Sequence, residues 1–271
     1  MGVTMYLNID NIKKSLEDFR GNAPYDHCIV DDFLDHKIAD QLQSEFPAYE
    51  NPKWFVYKNP IEDKKALNDW NAFPKLTYNV FRELLSEKFI DILKIYVGVQ
   101  LFQDPGLHGG GWHIHGPGGN LNPHFDYSIH PKVGLQRKLN IIIYLSKELN
   151  ETHGGHLGLW SHDHVTNGLG KLEKIIQPKF NRAVIFDTTQ NSWHGLCRPL
   201  TQPEGIFRKS LAVYYLTNPS NNVDTREKAL FAPRENQIND KSVSDIIKMR
   251  SDNLLFSSVY RSDLNQDDES K

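Results

Sequence analysis

The sequence predicts a mostly β protein with flanking helices, an antiparallel sandwich or barrel braced by a helical N-terminal region. Two observations carry that prediction. From Gly106 onward, short apolar or alternating runs recur at Leu139 to Leu145, His156 to Trp160, Ala183 to Phe186 and Leu211 to Leu216, with no regular helices between them. Between those runs stand glycine-rich turns at Gly109-Gly110-Gly111, Gly116-Pro117-Gly118-Gly119 and Gly154-Gly155.

In chain order, residues 1–105 read as mainly helical support for the same domain. Asp35 is placed to cap a helix through Ile38, Leu42 and Phe46 that must end before Pro47. Phe89, Ile92, Leu93 and Tyr96 form one apolar stripe at helical spacing, and Gly98 stops it. Residues 106–218 form the β-rich core. Residues 219–271 are a polar extension with a helix near Ser244 to Met249 and a charged, frayed end at Asp267 to Lys271.

A chain of 271 residues is long enough to bury a sizeable core. Its 31 basic and 34 acidic residues give a net charge of -3, and no dense Lys/Arg run suggests a nucleic-acid surface. No apolar stretch approaches the roughly 18 residues of a membrane span or resembles a signal peptide, so the expected location is cytoplasmic. Met1-Gly2 lacks the Ser or Thr at position 6 that myristoylation wants. Cys28 and Cys197 are too few and too far apart for a disulfide framework.

Ten of the twelve histidines fall between His108 and His194, which marks the β-rich segment as the chemical one. His124 and Asp126 are separated by one residue, and in a strand both would project to one face while Phe125 faces the other way. With the distant His194 they supply the 2-His-1-carboxylate set that holds non-haem Fe(II) and leaves coordination positions open. The bland alternative is a turn-capping His124, an Asx-turn at Asp126 and a satisfied core His194. Two other groups compete. His113 and His115 form a cupin-like His-x-His, but the glycines that follow leave out the expected Glu, and His162-Asp163-His164 reads as a loop. Zinc is the rival metal, and would make the site hydrolytic.

Arg208 begins an alternating run in which Arg208, Ser210 and Ala212 share a face. An inward arginine among small residues is a costly unpaired charge unless an anion meets it, and a dicarboxylate supplies one through a two-pronged contact. An exposed strand start is the alternative for this residue type.

His124-x-Asp126, the distal His194 and Arg208-x-Ser210, in that order, resemble the Fe(II)/2-oxoglutarate-dependent dioxygenases, particularly the prolyl-4-hydroxylase-like branch. Asn140 to Ser146 is similar to that family's strand ending Tyr-Leu-Asn, and Gly154-Gly155-His156-Leu157 to its Gly-Gly-x-Leu. The resemblance spans roughly residues 100 to 218, with a weaker likeness over Pro24 to Phe46. It implies a double-stranded β-helix of the jelly-roll or cupin-like kind, with His124, Asp126 and His194 as catalytic iron ligands. Arg208 would bind the C5 carboxylate of 2-oxoglutarate, with Tyr144 and Ser210 as further co-substrate contacts. The cofactors implied are Fe(II), 2-oxoglutarate and O2, and the reaction is oxidative decarboxylation to succinate and CO2 coupled to C-H hydroxylation. Two departures bear on the substrate mouth: Pro199 to Glu204 lengthens the interval from His194 to Arg208, and His156 stands where many relatives carry Glu.

Residues near these ligands that could meet substrate are His115, Tyr127, His156 and Trp193, along with Trp112, His113 and His130. The expected partner is a small-molecule or peptide substrate, with neither nucleic acid nor membrane. The rival classes are a zinc-dependent hydrolase on a similar barrel, which leaves Arg208 with Tyr144 unexplained, and a non-catalytic jelly-roll module for a ligand such as carbohydrate.

Overall fold

A computed structural model describes residues 6–260 apart from 222, 227 and 253. The charged end at 267–271 and the Met1-Gly2 start therefore lie outside the described residues. Helices α1 (Ile9–Leu16), α2 (His36–Glu45), α3 (Lys75–Leu84) and α4 (Glu87–Val97) stand in the N-terminal region. Their ends follow local chemistry. The Asp35 carboxylate accepts from the Lys37 and Ile38 amides at 2.9 and 3.3 Å, and α2 stops at Phe46, before Pro47. Ser86 caps α4, and Gly98 closes it in the left-handed conformation at φ 77°.

The same region also contributes strands β1 (His27–Val30), β2 (Phe55–Asn59), β3 (Glu62–Leu67) and β4 (Phe102–Gln103). β2 and β3 escape a hydrophobic reading because the exposed or cavity-facing side chains of Glu62 to Lys65 make the pair look like a polar loop. Strands β5 (Gly111–His115), β6 (Asn120–Leu121), β7 (His124–Phe125), β8 (Gln136–Tyr144), β9 (Leu157–Asp163), β10 (Gly168–Ile176), β11 (Ala183–Asp187), β12 (Trp193–Leu196), β13 (Arg208–Thr217) and β14 (Leu230–Phe231) follow, then α5 (Lys241–Ser251). His162-Asp163-His164 is thus not a free loop but the end of β9 and the turn into β10, where the Asp163 carboxylate accepts from the Val165 amide at 2.9 Å.

All pairings are antiparallel and make two sheets. The larger runs β1-β11-β8-β13-β5-β3-β2, with β4 and β6 at its margins, and the smaller runs β10-β9-β12-β7-β14. The large sheet separates two environments by the alternation of side chains along its strands. Leu139, Ile141 and Ile143 of β8, Leu211, Val213 and Tyr215 of β13, and Trp112 and Ile114 of β5 pack outward against Leu16, Phe81, Leu84, Phe89 and Leu93 of the helices. Each such side chain contributes about 1.5–3 kcal/mol on burial, so the helices are the large sheet's cover. The opposite face of those strands turns toward the small sheet, and a cavity of about 440 Å³ lies between them. Gly111 permits the approach of β3 to β5, because a Cβ there would stand 2.3 Å from the Leu67 carbonyl oxygen. Among the described residues, no helix is long and apolar enough to cross a membrane.

Candidate metal centre and co-substrate pocket

β7 and β12 are neighbours, and their register sets His194 directly opposite His124. The imidazole centroids are 4.3 Å apart, and Asp126, just past the end of β7, brings its Oδ2 to 4.0 Å from His194 Nε2. One ligand atom from each of the three residues falls within 4.8 Å of the others, and all three residues are buried. Phe125 does face the other way, into a cluster with Trp160 and Trp193.

The ring orientations are fixed from behind. His124 Nδ1 lies 2.9 Å from the Asn122 carbonyl, and His194 Nδ1 lies 2.9 Å from the Ser192 carbonyl. A carbonyl only accepts, so both hydrogens sit on Nδ1 and both Nε2 lone pairs are free to ligate. Burial, followed by the charge of His194, drives the His124 pKa well below 6.5, and burial lowers that of His194, so both rings are neutral as ligands must be. Asp126 Oδ2 is buried without a hydrogen-bond partner. Burial pushes the Asp126 pKa up, but the neighbouring Arg137 charge leads the causes that outweigh it, and the group is held below the ordinary carboxylate value. Two neutral nitrogens and an ionised, orphaned carboxylate oxygen fit a divalent cation. β12 can lie this close because residue 195 is glycine: a Cβ there would stand 2.7 Å from the Asn122 carbonyl oxygen that orients His124.

The second half of the site lies on the large sheet. Arg208 is only 4% exposed, and its Nε donates to the Gly155 carbonyl at 2.9 Å, which gives the Gly154-Gly155 turn a role in aiming the guanidinium. Among the described residues, no carboxylate lies within 4.0 Å of it. Burial lowers its pKa, as expected of a cation that no anion compensates. Its guanidinium carbon is 4.9 Å from the centre of the Tyr144 ring, whose buried hydroxyl has no partner, and Ser210 is paired in register with Tyr144. Arg208 and Ser210 line the cavity with the Tyr144 ring packed beside the guanidinium, an arrangement that suits an anion.

The structure places the other sequence-derived candidates as follows. His115 and Tyr127 line the cavity. His156 is half-buried and does not line it; its carbonyl accepts from the Cys197 amide. Trp193 is buried away from it against Phe125, and its indole donates to His162. Trp112 packs into the helix-facing core, while His113 lines the cavity and His130 lies 3.5 Å from Asp104.

Sequence reasoning missed Arg137. This residue is 2% exposed, lies 3.5 Å from Asp126 Oδ1, donates to the His108 carbonyl, and is clamped between the Tyr127 and Tyr214 rings with its guanidinium carbon 3.5 Å from each centroid. By simple alternation Arg137 would share the outward face of Leu139. The register of β8 against β13 slips between Tyr215 and Leu216, opposite Leu139 and Arg137, leaving Lys138 unpaired and turning Arg137 inward. Lys64 was missed too, hidden in the charged run of β3.

Residues 110–237 match the family model for the 2OG-Fe(II) oxygenase superfamily. The matched segment runs from β5 through β14 and carries His124, Asp126, His194 and Arg208. A comparison with curated protein sequences gives no match. Among solved structures, a Pseudomonas putida prolyl-4-hydroxylase is similar with a TM-score of 0.54 at 14% identity, over 76% of this chain and 99% of its own. A Phytophthora capsici prolyl 4-hydroxylase has a TM-score of 0.52 at 16% identity, over 92% of this chain and 77% of its own. A Trichoplax adhaerens prolyl hydroxylase, solved with a hypoxia inducible factor peptide fragment, has a TM-score of 0.51 at 16% identity, over 77% of this chain and 91% of its own. At these identities the likeness establishes the fold, a double-stranded β-helix. As a 2OG-Fe(II) oxygenase the protein is a dioxygenase, and its cofactors are Fe(II), 2-oxoglutarate and O2.

Proposed function

We propose that the protein is a hydroxylase of prolyl-4-hydroxylase type, in which His124, Asp126 and His194 hold the iron and Arg208, Tyr144 and Ser210 hold the far carboxylate of 2-oxoglutarate. The observation that carries this reading is the pairing in one cavity of a three-ligand metal set with a buried arginine that has no carboxylate partner. A zinc hydrolase needs no such arginine. When bound, iron with 2-oxoglutarate and O2 supplies the oxidation: the keto acid leaves as succinate and CO2, and the second oxygen atom enters a substrate C-H bond.

The chain's own groups bind and orient. The Asn122 and Ser192 carbonyls hold the imidazoles with Nε2 forward. Arg137 steadies Asp126 as an anion from the side away from the metal. The Gly155 carbonyl fixes the guanidinium of Arg208 so that its terminal nitrogens meet a carboxylate edge-on. His115 and Tyr127 stand where a substrate would enter beside these groups, and the substrate itself is a small molecule or a peptide segment.

The test is thermal stability in the presence of Mn(II), 2-oxoglutarate or both. A ligand that binds only the folded state raises the midpoint. The expected result is a shift from 2-oxoglutarate that requires the metal and disappears with EDTA. A shift from 2-oxoglutarate that is indifferent to metal, or no shift with the two together, would sink the reading.

A further inference from the structure

Four adjacent elements of the large sheet bring one row of polar side chains to the cavity. Tyr57 of β2 is paired with Lys64 of β3, and Arg208 of β13 is paired with His115 of β5. β3 meets β5 at Lys65 opposite Ile114, so one step along the same antiparallel register sets Lys64 beside His115. Tyr57, Lys64, His115 and Arg208 all line the cavity. Arg208 has a function in the reading above. Lys64 has none, and His115 has only a place beside the substrate.

Both are left unsatisfied by the protein. His115 is 2% exposed, and neither of its ring nitrogens has a hydrogen-bond partner. Among the described residues, no carboxylate stands within 4.0 Å of Lys64; its ammonium lies 5.0 Å from the centre of the Tyr57 ring. The nearby acid that could neutralise it, Glu62, is engaged by Arg250 at 2.8 Å. Lys64 is partly buried and lines the cavity. Burial lowers the Lys64 pKa, the direction expected of an ammonium short of an anion. In the loaded enzyme one carboxylate of 2-oxoglutarate meets the metal and the other meets Arg208. Lys64 and the donor of His115 then remain for a second anion, at β5 and on its side away from β13.

We propose that Lys64 and His115 form an anion subsite for the primary substrate, which is therefore an acidic molecule presenting a carboxylate or phosphate to the β3-β5 edge of the cavity. This rests on the oxygenase reading, because it assigns Arg208 to the co-substrate. The remainder of the substrate meets Phe55 and Tyr57 at the mouth, where Phe55 is 52% exposed and packs edge-on against Tyr57 at 4.8 Å. An acidic substrate with an apolar or aromatic portion matches both surfaces.

The experiment uses the full chain loaded with Mn(II), which holds the site without turnover. 2-Oxoglutarate is titrated first by calorimetry, and failure at this step strikes the oxygenase reading alone. With 2-oxoglutarate saturating, 3-phenylpropionate is compared with 3-phenylpropanamide, its neutral counterpart, and with phenylphosphonate. The acid should bind at least tenfold more tightly than the amide. Lys64→Gln should abolish that preference while leaving 2-oxoglutarate affinity within twofold, and Lys64→Arg should keep it. Tighter binding of the phosphonate than of the acid supports the subsite and assigns it to phosphate esters. Equal binding of acid and amide, no binding by either anion, or a tenfold loss of 2-oxoglutarate affinity in Lys64→Gln would overturn the proposal, the last by moving Lys64 into the co-substrate anchor. Should Lys64→Gln fail to fold, the acid-against-amide comparison in the unaltered protein decides.

Discussion

Replacing Arg208 by Met should move stability and co-substrate affinity in opposite directions. The side chain is buried, its Nε donates to the Gly155 carbonyl at 2.9 Å, and burial lowers its pKa. Substituting a well-packed apolar group for a buried charge is neutral to stabilising by about 1–4 kcal/mol. Losing the donor to Gly155 removes about 1 kcal/mol of that. The net expectation for the metal-free, co-substrate-free protein is a gain of about 0–3 kcal/mol, each kcal/mol being worth roughly 2–4 °C in a chain of this size. Affinity moves the other way. Two charge-assisted hydrogen bonds to a carboxylate, at about 1.5–3 kcal/mol each, correspond to a loss of about 10²- to 10⁴-fold for 2-oxoglutarate. Differential scanning calorimetry with and without 2-oxoglutarate, in Mn(II), reads both quantities at once. At a hundredfold excess over its Kd, the co-substrate contributes about 2.7 kcal/mol to the unaltered protein, and Arg208→Met should lose nearly all of it. A variant that is several degrees less stable without ligands, yet still stabilised by 2-oxoglutarate, would refute the claim that Arg208 is held for an anion.

Three further outcomes follow from the same geometry. Asp126→Ala and His194→Ala should each abolish succinate production and Mn(II)-dependent stabilisation, since each removes one of three ligands; undiminished succinate from either purified variant would rule out the triad. Arg137→Met should destabilise by about 3–5 kcal/mol, because it leaves Asp126 as a buried unpaired carboxylate in the metal-free protein, and should weaken Mn(II) binding about 10- to 100-fold through loss of the group that steadies the ligand; calorimetric titration of Mn(II) with an unchanged Kd would refute it. Gly195→Ala should lower stability by about 1–3 kcal/mol and weaken the metal site, since the new Cβ presses on the Asn122 carbonyl 2.7 Å away; a variant with unaltered midpoint and Mn(II) affinity would show that β12 shifts freely.

The elements legible in the sequence were those whose side chains obey a single period. α2 and α4 show their caps and apolar stripe, β8 and β13 show core-facing apolar residues at alternate positions because one face meets the helices, and β11 shows a continuous apolar run because both its faces are buried. The candidate metal ligands were legible for the same reason: His124 and Asp126 keep the i, i+2 relation, and only the pairing of β7 with β12 was needed to add His194. The parts that escaped break the period or disguise it. β2 and β3 leave most side chains exposed or half-buried and turn Glu62 and Lys64 to the cavity, so their pattern is that of a solvated loop. Arg137 is displaced by a register slip that no composition signal announces.

The charged and polar groups of the cavity share a physical property. Unpaired charge is costly inside a fold, yet among the described residues Arg208 meets no carboxylate, and both ring nitrogens of His115 and Oδ2 of Asp126 lack a hydrogen-bond partner. The hydrophobic cover of the large sheet carries the fold, which lets the opposite face keep groups that are unfavourable until something of opposite charge arrives. In the proposed reading His124, Asp126 and His194 take a cation, Arg208 takes one anion, and Lys64 with His115 takes a second. The register of β13, β5 and β3 then sets the two proposed anion positions side by side on one sheet, Arg208 on β13 and Lys64 on β3 with His115 of β5 between them.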